Sequence, residues 1–570
     1  MREEFSYNII LLGGTGAKCG EILLHMCANG YFKYRSLNIL YIDSDLQNGN
    51  AEKFRNLYKT YEECRKRYLI TSSPVSCFFC TKITLMEANP VGNFRQFSDM
   101  INTSEGNYES TESARALMEC LYSKEEIELE ISNGFFAHPN VGAAVFAANM
   151  DKIMSQFSAL ISTAMHEAKK VKIFLLGSIF GGTGAASLPT IVRYIKENMF
   201  AASNNKNIQK QMKIGGCMVL PYFMFSNEDK ASQNINQEPS IEANKFAMKT
   251  KAALEYYKYV DEEENRKTFD ELFILGHDMA DIRGYYAAAG EKQRNLPHIV
   301  EFYAAMSAIT FFEDEMGKRG HYFAVVPKDK IGGENIYGAE RGYSFFFVMM
   351  RFAIVMKSLI IEELFDYTQK NKIKGKAKRI PWYYDFLNGK GKARNFEADR
   401  LYSYFEDIER YCDEYIRWFA ELNLGNISKL KVLHEINYDE EKKETVQKNE
   451  GDTVEYLSFF DKKILFKQYQ NNQIRNQDVD LDDETAENLY KQNLEYIRDN
   501  MEKLEKIHFN TDMKSEKVTM SQIWSRLSNM GFNSFIKDDD VFQNIVNSTD
   551  KSMGAGVRNL INAVFCACLF

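Results

Sequence analysis

Short apolar runs alternate with longer amphipathic stretches over the first half of the chain. Asn8 to Leu12, Leu37 to Ile42, Val171 to Leu176, Lys213 to Leu220 and Leu272 to Leu275 are each too short for an independent helix. They predict buried strands, and the helical stretches between them predict parallel βαβ units. Sheets of this kind bind ligands beyond the carboxyl ends of their strands, so the loops after these runs are where chemistry is expected. From Asn295 to Phe312 runs a long helical pattern, with Pro297 in its first turn, where a missing N–H costs nothing. The character then changes. Residues 345–440 read as helical and rich in aromatics, 437–455 as a charged loop around Gly451, and 485–507 as a solvated helix with alternating charges. The predicted fold class is α/β: a parallel sheet with helices on both faces, followed by a large, mostly helical C-terminal region.

Composition narrows the function. Of 570 residues, 45% are apolar and 26% charged, a balance that excludes wholesale disorder. The net charge of -8 gives no global basic field, so neither nucleic acid nor an anionic membrane surface is a predicted partner. The longest apolar stretch, Phe345 to Ile361, is interrupted by Arg351 and Lys357 and predicts a buried helix, not a membrane span. Ten cysteines in so long a chain make no disulfide framework, and the acidic start MREEFSYNII lacks a secretory pattern. The expected compartment is a reducing cytoplasm. Cys568 is third from the end, where a prenylation box needs its cysteine fourth.

Two glycine clusters share the pentapeptide GGTGA: Gly13-Gly14-Thr15-Gly16-Ala17 and Gly181-Gly182-Thr183-Gly184-Ala185. Each follows an apolar run and opens a helical stretch. Glycines let main-chain N–H groups approach phosphate oxygens, and a helix N-terminus adds favourable partial charge. Tight turns without a ligand explain one cluster as well as phosphate does; two at equivalent strand ends favour phosphate. The first cluster is not a Walker A loop, because Lys18 follows Ala17 and Cys19 stands where a magnesium-binding hydroxyl belongs. A dinucleotide fingerprint fits better, through Gly14, Gly16, Gly20 and then Asp43, although Gly16 and Gly20 are one residue too far apart. A Rossmann NAD(P)-binding oxidoreductase therefore stays open as an alternative, but it leaves the second cluster unexplained.

The second cluster, within IFLLGSIFGGTGAASLPTI, resembles the signature loop of the tubulin and FtsZ superfamily. Further loops fall in that family's order. GGTGAKCGE resembles its first phosphate loop, YIDSDLQ the loop after strand two, and AHPNVGAAVF the third loop, with Pro139 and Gly142 at the family spacing. VLPYFMF resembles the segment after strand five, FDELFILGHD the sixth strand, and SAITFF the body of the central helix. The likeness covers roughly residues 7–312 and points to divergent, mostly bacterial tubulin-like proteins. It implies GTP or GDP with Mg²⁺ as cofactors. It implies phosphate contacts from Gly13, Gly14, Thr15, Gly16, Ala17 and Lys18 and from Gly181, Gly182, Thr183 and Gly184, with Asp45 near the metal. Lys18 suits the β-phosphate by charge, and a solvated lysine at a helix start is the equal alternative. The domain plan it implies is 1–312 for nucleotide binding, with an insertion at about 46–130, then 313–440 as a second domain and 441–570 as a helical extension.

Departures from the family pattern shape the functional expectation. His277 stands where the sixth strand usually ends in Asn, and the central helix's base-reading Asn aligns near Ile299. Asn295, one helical turn earlier, is the expected substitute, so His277 and Asn295 are the candidate base contacts. After the central helix the family carries an acidic loop that completes the next subunit's site. Here the stretch is MGKRGHYFAVV, with Tyr322 and Val325 at the acidic positions, while Glu313, Asp314 and Glu315 are expected still on the helix. No catalytic residue is assigned. The expected function is a GTP-binding protein with slow or partner-activated hydrolysis that acts in nucleotide-dependent assembly or scaffolding. It would self-associate or bind a protein through its C-terminal region. A self-activating, filament-forming GTPase is the alternative. Cys77 and Cys80 form a lone CxxC and read as buried thiols rather than zinc ligands. The stretch from Asp478 lacks the glycine and glutamate of an EF-hand. Trp382, Tyr383 and Phe386 read as core or interface.

Overall fold

The computed structural model describes residues 5–45, 47–70, 78–92, 94–102, 108–135, 138–167, 169–200, 211–222, 224–225, 246–263, 268–277, 283–284, 295, 297–316, 320–325, 348–361, 381–387, 401–425, 437–439, 444–446, 520–530, 545 and 552–569. The stretches expected as a solvated helix at 485–507 and as a failed EF-hand from Asp478 lie outside these, as does Cys77.

Seven strands form one sheet: β1 (Phe5–Leu12), β2 (Ser36–Ile42), β3 (Lys82–Ala88), β4 (Lys170–Ser178), β5 (Met212–Val219), β6 (Glu271–Gly276) and β7 (Gly320–Val325). Their order is β3-β2-β1-β4-β5-β6-β7, and every pairing is parallel. Each strand is read correctly from the sequence except β3 and β7. Those two are the sheet edges. The pattern of β3, KITLMEA, is only partly buried, so it lacks the continuous apolar run that marks the central strands.

The alternation within each strand sorts the helices to two faces. On one face, Ile9, Leu11, Phe174 and Phe273 pack with α1 (Gly13–Ala28), α2 (Gly49–Tyr68) and a later helix, α8 (Ile299–Glu313). On the other, Ile10, Leu12, Ile173 and Leu175 meet α5 (Pro139–His166) and α6 (Thr183–Tyr194), with α7 (Phe246–Glu263) alongside. Between β3 and α5 lie α3 (Tyr108–Leu121) and α4 (Lys124–Ile127). The segment expected as an insertion from about residue 46 thus begins with α2 and β3, which belong to the sheet layers, before α3 and α4.

The helix α8 is buried at every residue from Ile299 to Phe312 except Thr310. A helix apolar all round is enclosed on all sides. Gly215 of β5 makes room for it: a Cβ there would sit 2.5 Å from the Phe311 ring. The steps β4-α6-β5 and β6-α8-β7 cross the sheet in the same direction but carry their helices on opposite faces, so they differ in hand. Crossovers of the usual hand are nearly universal. The departure sets α8 apart as a central helix rather than another layer helix.

Pro297 lies two residues before α8, not in its first turn. His298, which follows it, is the N-cap and extended at φ -131°, so the helix starts later than the pattern suggests. At the other end only Glu313 is still helical; Asp314 is the C-cap. Tyr322, expected in a loop, is in β7, paired opposite Phe273 with the two rings stacked 4.8 Å apart. Val325 is in β7 too. Part of the stretch expected as a loop from 437 forms an antiparallel ribbon, Asn437–Asp439 with Glu444–Val446.

The C-terminal helices cover α1 and α2. The helix α9 (Glu406–Gly425) places Tyr411 3.1 Å from His25 and Glu414 3.0 Å from Thr60. From α10 (Met553–Leu569), Asn562 donates to the carbonyl of Tyr68 at 2.9 Å, and Phe565 stacks on Phe78 at 4.3 Å. The stretch 348–361 is helical and buried, with Lys357 held by Glu409 at 2.6 Å and Asp413 at 3.1 Å. Among the described residues, no helix is long and apolar enough to cross a membrane, and the cysteines are free thiols.

Candidate functional site

The carboxyl ends of β1, β2 and β4 bring four loops together. A Cβ on Gly13 would lie 3.3 Å from the Cβ of Thr183, so the two GGTGA clusters touch. The Thr183 hydroxyl donates to Asp43 Oδ1 at 3.1 Å, which ties the second cluster to the end of β2. Asp45 lies 4.0 Å from where a Cβ on Gly134 would project. Phe135 fills the space beside Gly182, and Gly142 packs on Ala186 and the Gly182 carbonyl. The glycine clusters, Asp45, Pro139 and Gly142 therefore share one region. Gly14, Thr15, Gly181 and Gly182 are its partly accessible members, whereas the Ala17 side chain lies in the core.

Three helices start there: α1, α5 and α6. None of the three has a side-chain N-cap hydrogen bond. Elsewhere the caps are present. Asn48 accepts from the N–H of Asn50 for α2, Ser123 makes a capping box for α4, and His298 makes one for α8. The first N–H groups of a helix have no partner within it, and they carry about half a positive charge. Three such ends left without side-chain caps, beside loops of glycine and threonine, present backbone groups of the kind that attract anions.

Asp43 and Asp45 sit at the edge of that surface, both buried. Burial and the neighbouring Asp45 raise the Asp43 carboxyl from its ordinary 3.8 to about 6, despite hydrogen bonds from Tyr41 and Thr183. Two adjacent carboxylates suit a divalent cation. Among the described residues no group of three or more His, Cys, Asp or Glu could hold a metal alone. A Mg²⁺ here would thus take most ligands from water and phosphate, which fits the donor set.

Lys18 is neither solvated nor directed at open space. It is 5% exposed and forms an ion pair with Glu301 in the first turn of α8. Tyr222, just beyond β5, lies 3.5 Å from the Lys18 Nζ and donates to the same Glu301 oxygen. Thr15 hydrogen-bonds the Tyr222 hydroxyl. Glu301 also accepts from the N–H of His298 at 2.8 Å. The first glycine cluster is thereby wired to the central helix through Thr15, Tyr222, Lys18 and Glu301.

The two candidate base contacts touch different elements. Asn295 is not helical, so it shares no helix face with Ile299; its N–H donates to Asn50 Oδ1 at 2.8 Å, next to Gly14. His277 lies at the end of β6, its ring 5.3 Å from that of His298. Sequence reasoning missed Asn48, Asn50, Glu301 and His298. The signal for the last two was present: His298 and Glu301 stand three apart at a helix start, the spacing of a capping box.

Comparison with known proteins follows this geometry. Residues 9–271 match the model of a family described as "Tubulin like". Among solved structures, CetZ from Methanosaeta thermophila strain DSM 6194 is similar at 12% identity and a TM-score of 0.21, over 47% of this chain and 45% of that one. The chain thus spans less than half the length of that structure. No curated protein matches the chain. The strand order β3-β2-β1-β4-β5-β6 is also that of dinucleotide-binding folds, yet no comparison supports the oxidoreductase alternative. The segment from Ile9 to Glu271, which holds both glycine clusters, is thus similar to tubulin-like proteins.

Proposed function

We propose that this protein binds GTP or GDP with Mg²⁺ at the junction of its two GGTGA loops and hydrolyses it slowly or only with a partner, acting as a nucleotide-dependent assembly or scaffold protein. The observation that carries the reading is the convergence of three helix N-termini without side-chain caps on glycine loops beside a buried aspartate pair. Backbone N–H groups from Gly13 to Lys18 and from Gly181 to Gly184 would receive the phosphates, with Thr15 as a hydroxyl donor. Asp45 would orient the water shell of Mg²⁺, and Pro139 and Gly142 would close the third side. His277 and Asn295 would be the contacts to the base. The C-terminal helices, already packed on α1 and α2, offer their outward faces to a partner or a second copy.

Slow hydrolysis is supported by β7. Tyr322 belongs to a strand, and neither a phenol nor valine is a base at neutral pH. One observation favours the alternative, a GTPase completed by its neighbour. Glu313 and Asp314 end α8 beside the amino ends of β4 to β6, at the pole opposite the glycine loops: Lys172 of β4 donates to the Asp314 carbonyl, and Lys213 of β5 to that of Glu315 at 2.8 Å.

The nucleotide released from purified, denatured protein tests the reading directly. GDP or GTP is expected; a dinucleotide, or none in protein that also fails to bind added GTP, sinks it. Phosphate release measured across protein concentration, with Asp314→Ala alongside, separates the two mechanisms. Flat, slow turnover is expected, whereas turnover that climbs with concentration and collapses in the variant establishes the self-activating GTPase.

A further inference from the structure

Among the described residues, the large apolar side chains left exposed lie on two helices, and three of them are on α7: Met248 at 70%, Tyr256 at 52% and Tyr259 at 61%. The inner side of α7 is settled. Thr250 is buried, Leu254 packs against the core of its layer, and the Tyr257 hydroxyl donates to the Ala185 carbonyl at 2.7 Å. Met248, Ala252, Tyr256 and Tyr259 recur at spacings of four, four and three, so they run as one stripe along the side that faces away from the sheet. An exposed apolar stripe at helical spacing has the form of a surface that pairs with another helix.

The charges along α7 say which helix. Its first two turns carry Lys249 and Lys251 and no acid, whereas its last turn is Asp261, Glu262 and Glu263. That order opposes the helix's own dipole, which favours acids at the start and bases at the end. The pattern therefore does nothing for α7 alone, but it fits an antiparallel copy of itself. Lys251 and Lys258 stand seven residues apart, as do positions Glu255 and Glu262, all along one edge of the stripe. With a two-fold axis at Tyr256, Lys258 of one copy falls opposite Glu255 of the other, and Lys251 opposite position Glu262. On the other edge Lys249 falls opposite position Glu263. In the same register Tyr259 comes against Ala252, large against small, and Tyr256 meets its own symmetry mate. No lysine position faces another, and no acid position faces another acid. Within one chain Lys251 and Glu255 are 3.9 Å apart, but both are mostly exposed, so their mutual attraction is weak and leaves them for a partner. We propose that α7 is a dimer contact, pairing antiparallel with α7 of a second copy around a two-fold axis at Tyr256. This surface is separate from the C-terminal helices and does not depend on nucleotide. A two-fold contact closes on itself, so it adds one copy and stops. The 18 residues of α7 span about 27 Å, and one helix from each copy makes an interface at the small end of the range, so the dimer forms in the micromolar range.

Sedimentation equilibrium on the full-length protein, from about 1 to about 200 µM, tests this. A monomer–dimer equilibrium that goes no further is expected, and it should weaken as salt is added. Reversing one sign on the edge should break it. Lys251→Glu with Lys258→Glu leaves only acids there, and Glu255→Lys with Glu262→Lys leaves only lysines. Each of these proteins alone should dimerise at least about tenfold more weakly than wild type. Mixed in equal amounts, the two should form a heterodimer at least as tight as the wild-type dimer. Damage to the fold would not be repaired by mixing. A wild-type protein that stays monomeric to the top of the range overturns the proposal. So does a dimer that both reversals leave intact, which would place the contact elsewhere, and so does a mixture that restores nothing. Mass that keeps growing with concentration, untouched by the reversals, establishes a head-to-tail association and refutes the proposal as well. Should a reversed protein misfold, Tyr256→Ala decides: dimerisation at least about tenfold weaker is expected, and unchanged dimerisation rules the contact out. None of these outcomes bears on whether the glycine loops hold nucleotide.

Discussion

The same five residues, GGTGA, open α1 and α6, yet the two copies are built differently. In the first, the helix begins at Gly13 itself, which takes φ +67°, a left-handed backbone that side chains resist. Its threonine, Thr15, is partly exposed and reaches Tyr222. In the second, the helix begins at the threonine, Thr183, which is buried and holds Asp43. There the constraint is close approach: a Cβ on Gly184 would stand 2.3 Å from the Ser178 carbonyl oxygen. Both copies let a helix crowd a strand, since a Cβ on Gly16 would stand 2.8 Å from the Leu11 carbonyl carbon, and only the first also bends the chain through a left-handed glycine. A motif of glycines thus states that space or freedom is needed, and only the neighbours say which.

The contrast breaks most sharply under alanine. Gly184→Ala should cost about 3 kcal/mol or more, because backbone must move, and should lower the urea midpoint markedly. Gly13→Ala should cost about 1–2 kcal/mol, the strain of a left-handed alanine. Gly181→Ala, whose Cβ would meet only the Ser178 hydroxyl at 3.3 Å, should cost under about 0.5 kcal/mol in the same titration. Equal losses at Gly184 and Gly181 would erase the distinction.

The threonines sharpen it next. Thr183→Val removes a donor from a buried carboxylate and should destabilise by about 1–2 kcal/mol, while Thr15→Val should cost less than about 1 kcal/mol and act mainly on nucleotide retention. A Thr15→Val protein as unstable as Thr183→Val would place both hydroxyls in the same structural role.

The smallest effect is electrostatic and confined to the second copy. Asp43 titrates near 6 when folded against an ordinary 3.8, so between those values the folded state binds more protons. Its contribution to stability therefore falls as pH rises from about 4 to about 6 and is level above that. Unfolding measured at several pH values should show this slope reduced in Asp43→Asn. An unchanged slope would mean that Asp43 titrates normally.

The central strands and both loops were legible because a parallel sheet buries its strands on both faces and writes them as unbroken apolar runs. Edge strands carry no such mark. Lys82–Ala88 mixes exposed and buried positions, and Gly320–Val325 was hidden by an alignment that expected a loop. The apolar pattern runs back past Pro297 and so extends the helix to Asn295, but backbone geometry before a proline outweighs periodicity. Lys18 reads locally as a phosphate ligand or a solvated residue, whereas its partner, Glu301, lies far away in the sequence. Long-range ion pairs leave no local trace in a sequence.

The charge arrangement at the glycine loops has a consequence for how the site responds to its medium. Lys18, the cation nearest the first loop, is already neutralised by Glu301. Attraction for an anion then comes from peptide dipoles at three helix ends, and peptide groups neither titrate nor accept acetyl groups. In a protein of net charge -8, this keeps a positive potential where the surface as a whole repels phosphate. Such a site is blind to lysine chemistry.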